Sequence, residues 1–174
     1  MLDIKVAFDD IKMSNLEKED IVSIQELINS QNRYLDHEVN CTMELDELYE
    51  RFLECYISEN EFFLKINKEN RLIGSLKGRL EFKSSNEAWI WYFFIEKNLR
   101  CKGIGSRILK KLMEYVKNEY GIKDFYATIV GKSDSIMNFW KGNGYEILRI
   151  SKNYYNINGE DMDMIILKMK GKVI

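Results

Sequence analysis

The segment Arg100-Cys101-Lys102-Gly103-Ile104-Gly105 constrains the fold more than any other, because it joins an apolar run, Trp89 to Ile95, to a helix-patterned stretch, Ser106 to Tyr120. Two glycines separated by one residue let the backbone turn tightly and come close to a ligand without a Cβ in the way. The helix that follows offers N–H groups with no intrahelical partner and the positive end of its dipole. An anion, above all a phosphate, is the natural guest of such a turn.

Spacing separates the nucleotide loops that use this chemistry. A P-loop ends in Gly-Lys-Ser/Thr, and Gly103-Ile104-Gly105-Ser106-Arg107 has no such ending. A dinucleotide fingerprint needs a third Gly or Ala where Ile108 stands, and an early βαβ unit. What remains is Arg-x-x-Gly-x-Gly between a strand and a long amphipathic helix, which resembles the coenzyme A loop of the GCN5-related N-acetyltransferase (GNAT) superfamily.

A second motif stands in register with the first. The family carries an Asn, then a small residue, an aromatic-Tyr pair, and a Gly followed by an aromatic; Ser133, Ile136, Phe139-Trp140 and Gly144-Tyr145 keep that spacing here. The resemblance covers roughly residues 88 to 150. It implies acetyl-CoA as cosubstrate and transfer of the acetyl group to an amine by direct attack. Carried over residue by residue, it assigns the backbone of Phe93, Phe94 and Ile95 to the pantetheine arm. Arg100, Cys101, Lys102, Gly103, Ile104, Gly105 and Ser106 fall to the pyrophosphate, and Ser133 and Trp140 to the second motif. Lys97 stands where the family usually has Pro.

The fold implied is α/β: one domain over residues 1 to 174, with a mixed, mainly antiparallel sheet of about seven strands and about four helices. Periodicity supplies the elements. Strands are expected at Val6–Met13, Glu61–Asn67, Arg71–Phe82, Ala88–Ile95, Phe125–Val130, Tyr145–Ile150 and Met162–Met169. Helices are expected at Ile21–Ser30, Glu44–Ser58, Ser106–Tyr120 and Ser133–Lys141, with Gly121 as a left-handed C-cap. The hairpin strand Arg71–Phe82 is a candidate edge for a homodimer.

Composition sets limits. Hydrophobic residues make up 45% of the 174, enough for a core, and no apolar run approaches the ~18 residues of a membrane span. A net charge of −2 argues against a nucleic-acid binder. With no secretory segment at Met1 to Asp10, the cytoplasm is the expected compartment. Three cysteines, Cys41, Cys55 and Cys101, have no paired spacing, and with a single His they do not make a metal site. They are expected as reduced thiols.

The sequence departs from the family at the chemistry. Trp140 replaces the Tyr that often serves as general acid, and an indole N–H has no useful acidity. Thr128 stands where a carboxylate is often found and cannot take a proton at neutral pH. Tyr154, Tyr155 and Glu87 are the replacement candidates, with Tyr145 beside them. A weakly equipped site favours an easy amine: an ε-amine of pKa about 10.4 costs roughly 3.5 kcal/mol more to neutralise than an α-amine of about 7.8. Lys152-Asn153-Tyr154-Tyr155, followed by Asn158-Gly159-Glu160-Asp161, is similar to the last hairpin of ribosomal-protein alanine N-acetyltransferases, where tyrosines face the acceptor peptide. On the acceptor side the residues of interest are Tyr34, Asp36, His37 and Glu38. The acceptor that the resemblance implies is a small-molecule amine or a peptide N-terminus; the alternative is a non-catalytic acyl-CoA-binding or regulatory module of the same fold.

Overall fold

The computed structural model describes residues 1–32, 43–82, 85–131, 133–157 and 159–171. Among the described residues eight strands hydrogen-bond in the order β1-β2-β3-β4-β5-β6-β8-β7, one more than expected. The chain forms two compact units, Met1–Gly78 with Phe93–Gly105, and Arg79–Tyr92 with Ser106–Ile174.

The first unit opens with β1 (Val6–Phe8) and β2 (Ile11–Asn15), paired antiparallel from Val6↔Met13 to Phe8↔Ile11. Alternation predicts one strand over Val6–Met13. The chain instead turns back at Asp9, whose φ of 47° is tolerated by a short polar side chain. Asn15 ties down the segment before it, accepting from the Ile4 N–H at 3.0 Å and donating to the Leu2 carbonyl at 2.7 Å. Helix α1 (Ile21–Asn32) buries Ile21, Ile24 and Ile28, and α2 (Leu45–Ile57) buries Leu48, Phe52 and Cys55; both sets follow the helical period. The Asn29 side chain brackets Met43 just before α2, accepting from its N–H at 2.9 Å and donating to its carbonyl at 3.1 Å.

Strands β3 (Glu61–Lys68) and β4 (Arg71–Glu81) flank a two-residue turn in which Glu69 and Asn70 both have positive φ, as a hairpin that follows strand twist requires. β4 lies between β3 and β5 in the strand order. The expectation of a dimer edge at Arg71–Phe82 is therefore corrected, because both sides of that strand have neighbours.

Strand β5 (Glu87–Ile95) begins in the second unit and ends in the first. In the second unit it pairs in parallel with β6 (Asp124–Val130), from Glu87↔Asp124 to Ile90↔Ala127. Helix α3 (Ile104–Tyr120) buries Ile108, Leu109, Leu112, Met113 and Val116. It ends where expected: Gly121 has φ 64° and its N–H returns to the Lys117 carbonyl at 3.1 Å. Helix α4 (Asp134–Gly142) follows, then β7 (Tyr145–Ile157) and β8 (Glu160–Met169), with β8 antiparallel to both β6 and β7. Alternation predicts that β7 ends at Ile150. The strand continues to Ile157 through register shifts between Ile147 and Arg149 and between Ser151 and Tyr155, which break the alternation a strand is recognised by.

Candidate functional site

The cradle is built by the last residues of β5, a single 3-10 turn at Lys97–Leu99, and the start of α3. Closure of that turn uses the Leu99 N–H on the Glu96 carbonyl at 3.0 Å and the Arg100 N–H on the Lys97 carbonyl at 3.1 Å. Arg100 then folds back, its Nε donating to the Ile95 carbonyl at 2.7 Å and its guanidinium lying 5.4 Å from the centre of the Phe94 ring. This side chain braces the loop, a role that the motif alone does not reveal. Glu96 is anchored as well, with its N–H on the Ile73 carbonyl at 2.8 Å and its carboxylate 2.7 Å from the Arg71 guanidinium.

After Arg100 the backbone alternates in hand. Cys101 has φ 57° and Gly103 φ 76°, with Lys102 between them, and α3 begins at Ile104. Cys101, Lys102 and Gly103 are all exposed, while Ile104 is buried and fixes the first turn to the core. A Cβ placed on Gly103 meets nothing within 4 Å. Gly103 thus stands open on its Cβ side, directly ahead of the first turn of α3, where a helix has N–H groups without an intrahelical partner.

Gly74, on β4, holds a position that no sequence motif marks. A Cβ there would stand 2.2 Å from the Phe94 carbonyl oxygen and 3.0 Å from Ile95 Cδ1. Only a residue without a side chain lets β4 lie this close to the end of β5, so Gly74 sets the height of the backbone that leads into the cradle.

In the second unit, Ser133 is the N-cap of α4, its hydroxyl accepting from the Ile136 N–H at 3.4 Å. Trp140 is 4% exposed and packs edge-to-face on Tyr145, with ring centres 4.8 Å apart, and on Phe139 at 5.3 Å. Tyr145 is buried too, its hydroxyl 3.7 Å from the Met113 sulfur. Burial pushes its phenol well above the usual range, so the ring oxygen keeps its proton at neutral pH. Tyr154 and Tyr155 are exposed on β7 and meet edge-to-face at 4.8 Å. Glu87 sits at the first residue of β5, accepting from Ser85 Oγ and from Trp89 Nε1 at 3.1 Å. That is the end of the strand opposite to the one that enters the cradle. Thr128 is half-buried on β6, opposite Ile166 on β8. Tyr34, Asp36, His37 and Glu38 lie outside the described residues, as does Cys41.

The two described cysteines contrast. Burial pushes the Cys55 thiol up to about 11, with the Lys77 ammonium opposing and the Glu61 carboxylate assisting, while Cys101 is exposed. Only a thiolate attacks an alkylating agent, so a raised pKa keeps Cys55 inert. At pH 8, iodoacetamide is expected to label Cys101 in the folded protein. Cys55 should stay unlabelled until the pH nears 11 or the chain unfolds, as peptide mass mapping will show.

Among the described residues no group of three or more His, Cys, Asp or Glu could hold a metal ion. No described helix is long and apolar enough to cross a membrane.

Comparison with known proteins identifies the family. Residues 13–166 match the family described as Acetyltransferase (GNAT) domain, and the chain belongs to it. It is an acetyltransferase that uses acetyl-CoA as acyl donor and an amine as acceptor. No curated protein matches it by sequence. Among solved structures it is similar to the Salmonella typhimurium acetyl transferase that modifies the N-terminal serine of ribosomal protein L7/L12. That alignment has 14% identity, covers 92% of this chain and 95% of that one, and gives a TM-score of 0.79. The ribosomal-protein-S5-alanine acetyltransferase of Vibrio fischeri gives 15% identity over 95% of this chain and 96% of that one, with a TM-score of 0.69. The microcin C7 self immunity acetyltransferase, solved with acetyl-CoA and AMP, gives 16% identity over 92% of each chain and a TM-score of 0.75. Identities this low speak to the fold alone, and the fold they share is the α/β arrangement expected from the sequence.

Proposed function

We propose that the chain works as one cytoplasmic acetyltransferase domain that acetylates an amine of low pKa, a peptide α-amine or a small molecule of similar basicity. The observation that carries this reading is the pair of left-handed residues, Cys101 and Gly103, that turn the chain into α3, with nothing within 4 Å of a Cβ on Gly103. The cytoplasm suits a chain with free thiols at Cys55 and Cys101. The net charge of −2 supports neither nucleic acid nor an anionic membrane surface as partner.

Each residue then has a task. The N–H groups of Cys101 to Ser106 hold the pyrophosphate, and a hydrogen bond to a charged oxygen is worth about 1.5 to 3 kcal/mol. Phe93, Phe94 and Ile95 offer main-chain groups to the pantetheine arm. Ser133 and Trp140 support the loop and helix of the second motif. Acetyl-CoA, when bound, supplies an acetyl group already activated as a thioester. The exposed hydroxyls of Tyr154 and Tyr155 meet the acceptor and are the candidate proton donors, since Tyr145 is buried. Glu87, held by Ser85 and Trp89 at the far end of β5, is the weakest of the candidates. Neither Trp140 nor Thr128 can act as acid or base, so the site relies on an amine that is already neutral near the working pH.

The test is calorimetric. Native protein is expected to bind acetyl-CoA with micromolar affinity, and Gly103→Glu to weaken it at least about 100-fold, or ~2.7 kcal/mol. The variant brings a side chain to a position of positive φ and a carboxylate to an anion cradle. Thiol release with a panel of amines at pH 7.5 is expected to favour peptide α-amines over lysine side chains. Native protein that binds no acetyl-CoA would sink the cradle assignment; tight binding with no turnover on any amine would leave only a carrier of acyl-CoA.

A further inference from the structure

The β7–β8 hairpin holds a device that the motifs do not mention. Ser151 pairs with Met164 and Tyr155 pairs with Met162, so Lys152, Asn153 and Tyr154 on β7 stand opposite one residue, Asp163, on β8. An excess of this size leaves β7 without ladder partners over those residues and would ordinarily collapse into alternative registers. Here it has a fixed shape. Asn153 takes φ 51°, and its N–H donates to Asp163 Oδ1 at 3.1 Å.

Asp163 is also held from the other side. Its carbonyl accepts from the Gly131 N–H at 2.9 Å, directly past the end of β6 and just before the N-cap of α4. Gly131 has φ 76°, which suits a turn that must aim its N–H across to β8. One residue thus joins the end of β6 through its main chain and the bulge of β7 through its carboxylate. Tyr154 is the last residue of the bulge and Tyr155 the first residue back in register, and the bulge is what brings their rings edge-to-face at 4.8 Å while both stay exposed. In a regular strand, consecutive side chains point to opposite faces and such a contact between neighbours does not form.

We propose that Asp163 is a positioning residue for acceptor recognition: its carboxylate holds the bulge that sets Tyr154 and Tyr155 against each other. It touches neither cosubstrate. The inference rests on the reading above that these tyrosines meet the acceptor amine, and it assigns the cost of losing Asp163 to the acceptor alone.

Steady-state kinetics with the preferred amine, beside acetyl-CoA calorimetry, test it. Asp163→Ala is expected to raise the acceptor KM at least tenfold, with acetyl-CoA affinity changed by less than twofold. Asp163→Asn is expected to recover most of that loss, since its amide oxygen can still accept from the Asn153 N–H. If Asp163 acts through the tyrosines, the effects of Asp163→Ala and Tyr154→Ala will not add, as is usual for residues of one unit. Deleting Lys152 and Asn153 together makes the pairing regular, and should mimic Asp163→Ala even if that variant does not fold. An unchanged acceptor KM in a folded Asp163→Ala variant or in the deletion overturns the proposal, as does full additivity with Tyr154→Ala. Failure of the native protein to bind or turn over acetyl-CoA would overturn the functional reading instead, and the two failures are read from different proteins.

Discussion

Gly74→Ala is expected to destabilise the protein by about 3 kcal/mol, the upper part of the usual range for overpacking a filled core. Most such substitutions are relieved by rotation of a flexible neighbour. This one is not, because the obstacle is main chain: the new methyl would lie 2.2 Å from the Phe94 carbonyl oxygen and 3.2 Å from its carbonyl carbon. Moving β5 away would strain the bond from the Glu96 N–H to the Ile73 carbonyl, made at 2.8 Å by the residue just before Gly74. The displacement would pass along Phe94 and Ile95, and both touch Arg100, one through its ring and one through its carbonyl. Acetyl-CoA affinity should fall with stability, by at least tenfold. Urea unfolding and calorimetry on the same preparation check both. A variant within 0.5 kcal/mol of native, with unchanged affinity, would mean that β4 and β5 tolerate a separation that the close approach at Gly74 argues against.

What could be read from the sequence was mostly local. The α3 stripe, its Gly121 terminus and the glycines ahead of it depend on neighbours three or four positions away, and they fell where periodicity and capping put them. The second motif was legible for the same reason, since Ser133 caps the helix it precedes. Features that depend on a partner distant in sequence were not legible. Gly74 looks like a weak spot in a strand until Phe94 is seen beside it. The brace that Arg100 makes from its Nε to the Ile95 carbonyl is likewise invisible in the motif. The turn at Asp9 and the bulge before Tyr155 both hang on single residues with positive φ that are not glycine, Asp9 and Asn153, and alternation gives no warning of either. The interior place of β4 follows from strand order, which no period encodes.

The second large effect is expected at Trp140. In the family pattern it aligns with a tyrosine of the chemistry, yet here the ring is 4% exposed and wedged between Phe139 and Tyr145. Burial of a large aromatic, with an added edge-to-face contact, puts its weight on stability. Trp140→Ala is expected to cost about 3 to 5 kcal/mol, because the gap left between two rings cannot close without moving α4 against β7. For a chain of this length each kcal/mol is worth about 2 to 4 °C, so the melting temperature should drop by on the order of 10 °C. Trp140→Phe keeps an aromatic edge against Tyr145 and should cost far less, roughly 1 to 2 kcal/mol. Thermal unfolding of the three proteins gives the comparison. If alanine costs no more than phenylalanine, the ring cluster does not hold α4, and Trp140 must be kept for another reason.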